Sequence, residues 1–353
     1  MADDKLVQQQ APENAQQNER QKAQKDKKSG PWNHSTPVIF SPLFDWPPKP
    51  MAGFLALATR WVTVTRHLLF LLMAMAVYHW LLPPLSTFES LSLSWILPVY
   101  LRNLALMMLV AGGLHLYFFT FRGQHNHLKY DSREKLEKGR KFSFSDQVHD
   151  NMFWSLGSGV AVWTIYEVLY LWGAANGVIP TLNFTDHKLA FALWLLATPL
   201  ITATHFYFIH RLLHWPPLFK VAHRLHHRNI HIGPWSGMSM HPIEHVLYVS
   251  SVLVHFVIPS HPMLALMHLF NRSLGPAFSH AGFEKMTVGN RELFEAADFH
   301  HQLHHRYFEC NYGSVDAPWD RWLGTCHDGS DEATQRVRER QKQMYRQRGT
   351  SAV

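Results

Sequence analysis

Apolar positions in this chain gather into long unbroken blocks instead of alternating, and polar connections separate the blocks. Four blocks approach or exceed the roughly 20 residues that a helix needs to cross about 30 Å of hydrocarbon. They run approximately from Arg66 to Leu82, Leu93 to Phe121, Met152 to Trp172 and Lys188 to Phe208. A fifth, His245 to Phe270, is interrupted by Pro259 and Pro262. Proline removes a backbone donor and breaks a helix, so a pair of short helices or a re-entrant hairpin suits this block better than a clean span.

The flanking segments are different. Residues 1–30 are rich in Gln, Lys, Asp and Ala, show no apolar periodicity and read as a disordered tail without the apolar core of a signal peptide. Trp32 to Pro50, rich in proline and aromatic residues, reads as an approach lying at the membrane interface. The predicted organisation is a tail and interfacial segment (1–50), a transmembrane region (51–204), a histidine-rich unit (205–328) and a polar C-terminal tail (329–353). The predicted fold class is all-α: a polytopic membrane protein with about four transmembrane helices, a broken or re-entrant hairpin and a cytoplasmic histidine-rich helical cap.

Composition agrees with buried or lipid-facing helices, since 47% of the 353 residues are hydrophobic and only 17% charged. A mean hydropathy of -0.15 looks soluble only because the polar ends dilute an apolar middle. With a formal charge of +7, the N-terminal tail carries Lys5, Arg20, Lys22, Lys25, Lys27 and Lys28, and a loop carries Arg122, Lys129, Arg133, Lys135, Lys138, Arg140 and Lys141. The stretches Pro83 to Ser92 and Gly173 to His187 have no Lys or Arg. The positive-inside rule then places the N-terminus, the Arg122 loop and the region after His210 on the cytoplasmic side. No nucleic-acid motif is found. Cys310 and Cys326 are too few for a disulfide framework and lack CxxC spacing, which favours a reducing compartment.

Histidine is the outlier, with 26 copies, seventeen of them between His205 and His305. His210-Arg-Leu-Leu-His214 places two imidazoles one helical turn apart, on one face. His223-Arg-Leu-His226-His227 and His301-Gln-Leu-His304-His305 repeat an H-x-x-H-H pattern whose rings share a face in the same way. Imidazole suits Fe, Zn, Cu and Ni, and eight such rings exceed what one ion takes, which points to two metals. His280, between the broken block and the last box, is placed to complete a coordination sphere. His255 and His268 lie in apolar runs and read as packing or lining residues, and His205 as a support within the fourth span.

Two other readings use the same residues. His241-Pro-Ile-Glu-His245 satisfies the H-x-x-E-H pattern of a membrane metallohydrolase, but this leaves both H-x-x-H-H boxes unexplained. A metal transporter would carry ionisable residues at bilayer depth along several spans, whereas the boxes follow the fourth span.

From about His205 to Asp328 the sequence resembles the fatty acid hydroxylase and sterol desaturase superfamily. The resemblance rests on the ordered boxes, His241-Pro-Ile-Glu-His245, Ser279-His280-Ala-Gly-Phe283, Asn311-Tyr-Gly313, Trp319-Asp-Arg321 and Gly324-Thr325. The H-x-x-x-H form of the first box is most similar to the sterol desaturase and sterol methyl oxidase branch. The resemblance implies a di-iron site with ligands His210, His214, His223, His226, His227, His280, His301, His304 and His305. His241, Glu244, His245 and Asp320 are additional ligand or supporting positions, and Arg321 could pair beside the boxes. It also implies O2 as co-substrate and hydroxylation or desaturation of a membrane lipid. No dinucleotide, flavin or iron-sulfur motif is present, so electrons are expected from a separate ferredoxin or cytochrome b5 type carrier with its reductase.

Overall fold

The computed structural model describes residues 33–350 except 35, 39, 57–64, 133–135 and 290. The expected disordered tail, together with Arg133 and Lys135 of the basic loop, lies outside the described residues.

Helix α1 (Thr65–Ala76) continues through a π turn to Leu81. Helix α2 runs Leu93–Thr120 and contains two π turns. Helix α3 joins Gln147–Trp154 to Val160–Ala175 through a π turn. Its start is fixed by the Asp146 carboxylate, which accepts from the amides of Val148 and His149. Helix α4 is Lys188–Leu213. Among the described residues, α2 and α4 are the two helices long and apolar enough to cross a membrane. Leu97, Leu101 and Leu109 on α2, and Leu189, Leu193 and Leu200 on α4, stand exposed. These ridges require an apolar surrounding, or else cost about 25 cal/mol per Å2 left in water. The first block is a shorter apolar helix. In the third, Glu167 is fully buried and takes hydrogen bonds from Arg102 (2.5 Å) and Asn103 (3.0 Å) of α2, which accounts for an acid in an apolar block.

The broken fifth block consists of two helices, α5 (Pro242–Val249, prolonged by further turns to Val257) and α6 (Pro262–Ser279). They lie against each other around Tyr248 and Arg272. Fifteen of the eighteen α6 residues are buried, so α6 is the axis of the core, packed by α1, α3, α4 and the turn Pro234–Met238. That turn comes so close that a Cβ on Gly237 would stand 2.2 Å from the Pro276 carbonyl oxygen.

Three segments carry structure that the hydropathy pattern did not show. The fold is predominantly but not wholly helical: β1 (Lys285–Val288) and β2 (Arg291–Glu295) form an antiparallel hairpin in which Met286 pairs with Phe294. Gly289 supplies a left-handed turn residue there (φ 60°), and Phe294 packs edge-on against Phe278. After helix α7 (Phe299–Tyr307), the supposed polar tail is helix α8 (Asp331–Thr350). It buries Ala333 and Val337, while Arg340 and Gln341 donate to the carbonyls of Gly324 and Tyr307. The proline-rich approach lies over the histidine-rich part: Val38 donates to the Asp328 carbonyl (2.8 Å), and the Phe40 ring is edge-on to His300.

Candidate metal centre

The end of α4 puts His210 in its last turn and His214 at its C-cap. After Trp215-Pro-Pro the chain returns, and the second box sits on irregular backbone, with His223 closing a π turn and His226 and His227 in a 3-10 turn. That box is therefore not the regular helix the spacing predicts. His280 caps α6. Helix α7 carries the third box, started by the Asp298 carboxylate accepting from the His300 and His301 amides and ended by Phe308 at φ 67°.

The structure brings all nine predicted histidines together, in two groups. The first holds His210, His214, His223, His227 and His304; the second holds His226, His280, His301 and His305. Each H-x-x-H-H box splits the same way. The i, i+4 pair stays in one group and the middle ring crosses to the other, so His226 leaves its box and His304 leaves its own. Eight of the nine are buried and His214 is half-buried.

Proton accounting shows what such groups require. A neutral imidazole has one N–H. The Nδ1–H donates to the Tyr312 carbonyl in His210 (2.8 Å), the Cys310 carbonyl in His304 (2.6 Å), the Asn229 carbonyl in His305 (3.0 Å) and the Pro276 carbonyl in His280 (2.9 Å). His226 donates to the Ser239 carbonyl (3.3 Å) and His223 to the Glu244 carboxylate (2.7 Å). The Nε2 atoms of these six carry only lone pairs. Nε2 of His214 lies 3.2 Å from that of His223, that of His227 3.1 Å from His304, and that of His280 3.0 Å from His305 and 3.2 Å from His301. His280 and His305 are both among the six, so their lone pairs face each other and repel unless a cation sits between them. Two nitrogens about 2.1 Å from a shared ion and at right angles to each other stand about 3.0 Å apart. The residues therefore fit two first-row divalent ions with all-imidazole donors.

Burial keeps the donors neutral, the form that binds metal. It pushes His226 down to about 4 and holds His227, His280, His301, His304 and His305 well below the ordinary histidine range. Crowding among the rings adds to this for all of these except His226.

Several supporting residues are not ligands. Asp320 accepts from the amides of Tyr312 (2.9 Å) and Gly313 (2.8 Å) and from the Thr325 hydroxyl (2.6 Å), which pins the carbonyl that receives His210. Asn311 ties the His300 carbonyl to His327. Sequence reasoning missed Asn229, whose amide oxygen accepts from Gln147 and Asn151 at the start of α3, and it missed those two partners. Their i, i+4 polar spacing just ahead of an apolar block was the available signal.

Other candidate positions stand apart from both groups. His241 caps α5 through the Ile243 amide, and His245 bonds the Met238 carbonyl. Glu244 serves His223, so the H-x-x-E-H segment assembles no site of its own. Arg321 pairs with Asp45 (3.2 Å), away from the boxes, and His205 bonds Ser250 (2.9 Å). A cavity reaches both groups, touching His210 and His223 of one and His226, His280 and His301 of the other. Phe70, Pro199, Phe206, Leu213 and Met240 give it apolar walls.

A fatty acid hydroxylase family model matches residues 194–325. Over that segment the chain is similar to fatty acid hydroxylases. Over 122 residues it is 34% identical to a Delta(7)-sterol 5(6)-desaturase of Gibberella zeae, covering 34% of this chain and 37% of that protein. It is 29% identical over 139 residues to a Delta(7)-sterol 5(6)-desaturase of Candida albicans (38% and 34% covered). It is 31% identical over 159 residues to a methylsterol monooxygenase of Aspergillus fumigatus (41% and 50% covered). The chain thus spans between about a third and a half of these relatives' lengths. No solved structure matches.

Proposed function

We propose that this chain is an integral membrane oxidoreductase that hydroxylates or desaturates a lipid, using two iron ions, O2 and electrons from a separate ferredoxin or cytochrome b5 type carrier. The observation that carries this reading is the pair of converging Nε2 groups opening onto an apolar cavity. His210, His214, His223, His227 and His304 would hold one ion, and His226, His280, His301 and His305 the other. Iron bound there supplies O2 activation and the power to break an unactivated C–H bond. The chain's own part is orientation and dryness. Glu244 and the backbone carbonyls fix six of the nine donor rings through their Nδ1 protons, and the Phe70, Phe206 and Met240 walls keep bulk water from a lipid chain held against the centre.

In this reading α1, α2, α3 and α4 cross the bilayer and α5 and α6 form a re-entrant hairpin. The basic residues of 122–141 put the N-terminus and the histidine centre on the cytoplasmic side. The sterol-acting relatives support a lipid substrate. Comparing the lipids of cells expressing the wild type with those expressing a His226→Ala, His227→Ala double variant, by mass spectrometry under air, tests the class. A lipid one oxygen heavier or two hydrogens lighter, present only with the wild type, is expected. No change despite folded, iron-loaded protein and a supplied reductase contradicts the reading, at least for the lipids of that host.

A further inference from the structure

We propose that Arg272 is an anion subsite of the cavity, so that the substrate carries a carboxylate or phosphate group a short distance from the carbon that is oxidised. This deepens the lipid-oxidation reading and rests on it. Arg272 lies on α6, is 3% exposed and lines the same cavity as the histidines. Its guanidinium sits 3.6 Å from the centre of the Tyr248 ring and 5.6 Å from that of Phe206. Nε and Nη2 both donate to the Tyr248 carbonyl, at 3.3 and 3.0 Å.

That leaves Nη1 without a partner among the described residues. The carboxylates sharing the cavity wall, Glu244, Asp298 and Asp316, make no ion pair with Arg272. Glu244 is turned to His223, and Asp298 caps α7. A buried cation without a counter-charge is costly, and arginine is seldom fully buried unless paired. A structural role is already met by one carbonyl and one ring, which use two of the three guanidinium nitrogens. The remaining N–H face suits an oxyanion, whose charge-assisted hydrogen bonds are the strong kind.

Position sets the reach. The Phe206 ring, 5.6 Å from the Arg272 guanidinium, is stacked 4.9 Å from His210 and tilted 5.8 Å from His301. An anion held at Nη1 therefore brings a nearby segment of its chain, not a distant terminus, to the metals.

The test is binding, not turnover. Full-length protein in a neutral maltoside detergent is titrated calorimetrically with palmitate against methyl palmitate, with hexadecyl phosphate against hexadecanol, and with a neutral 3β-hydroxysterol. The wild type should prefer at least one anion over its neutral counterpart by about tenfold or more, and the arm that shows this names the group. Arg272→Met should erase the preference while metal content stays at the wild-type level, and Arg272→Lys should keep part of it. Equal binding of acid and neutral forms by the wild type, a preference that survives in Arg272→Met, or sterol binding as tight as the anions would overturn the proposal. The wild-type comparison decides even if Arg272→Met fails to fold. Metal content reports separately on the oxidoreductase reading.

Discussion

Two sets of buried histidines sit in this protein, and their hydrogen bonds differ in kind. In the α5–α6 pair, His255 Nδ1 meets the Ser260 hydroxyl (2.8 Å), its Nε2 meets His268 Nδ1 (3.1 Å), and His268 Nε2 meets Ser251 and Thr202 hydroxyls. Donors and acceptors alternate along that chain, and it closes without an ion. At the cavity end, carbonyls and Glu244 consume the Nδ1 protons of six rings, and the Nε2 lone pairs of two of them, His280 and His305, face each other at 3.0 Å. Burial is alike in the two places. What distinguishes a metal site is where the single proton of each ring has gone.

The largest effect should come from exchanging one ring in each set. His304→Ala should reduce turnover to background and lower bound metal, whereas His268→Ala should leave metal content unchanged and cost about 1–3 kcal/mol of stability, read by plasma mass spectrometry and thermal melting. Metal loss in His268→Ala would break the distinction. Next, Asp320→Ala releases the Tyr312 and Gly313 amides and lets the carbonyl under His210 drift. A 10- to 100-fold weakening of metal affinity is expected, about what loss of such an outer partner costs, measured by chelator competition.

Acidity should act on the centre in the same direction. The folded value of His226 is about 4, below the about 6.5 of an unfolded histidine. The unfolded chain therefore takes up the proton first. Stability and metal retention from this ring are complete above about pH 6.5 and are lost as pH falls through about 4, checked by melting and metal content across that range. The smallest effect is expected from deleting residues 1–30, which should leave turnover of a supplied lipid within about twofold, in line with surface changes away from packed features.

The two histidine groups were legible because ligand chemistry forces residue type and spacing together: the boxes and His280 could be picked out without coordinates. The long blocks at Leu93 and Lys188 were legible for the same reason, since hydrocarbon thickness dictates their length. Sequence was silent where backbone does the work. The carbonyls of Tyr312, Cys310, Asn229, Ser239 and Pro276 belong to residues of no common type, and the crossing of His226 and His304 between groups depends on turn geometry that the motif does not encode. The polar composition after Asp328 hid α8, whose hold on the domain comes from two side chains donating to carbonyls and two small apolar contacts. His241 and His245 matched a metal motif, but helix capping and a backbone carbonyl claimed their rings.

The central claim is that nine histidines hold two ions, and the most direct measurement is metal per chain. Full-length protein purified in detergent from iron-supplied cells should contain two iron ions per chain by plasma mass spectrometry, with fewer in a His226→Ala, His227→Ala variant that still inserts and folds. A wild-type value of one or none after reconstitution with ferrous iron would contradict it.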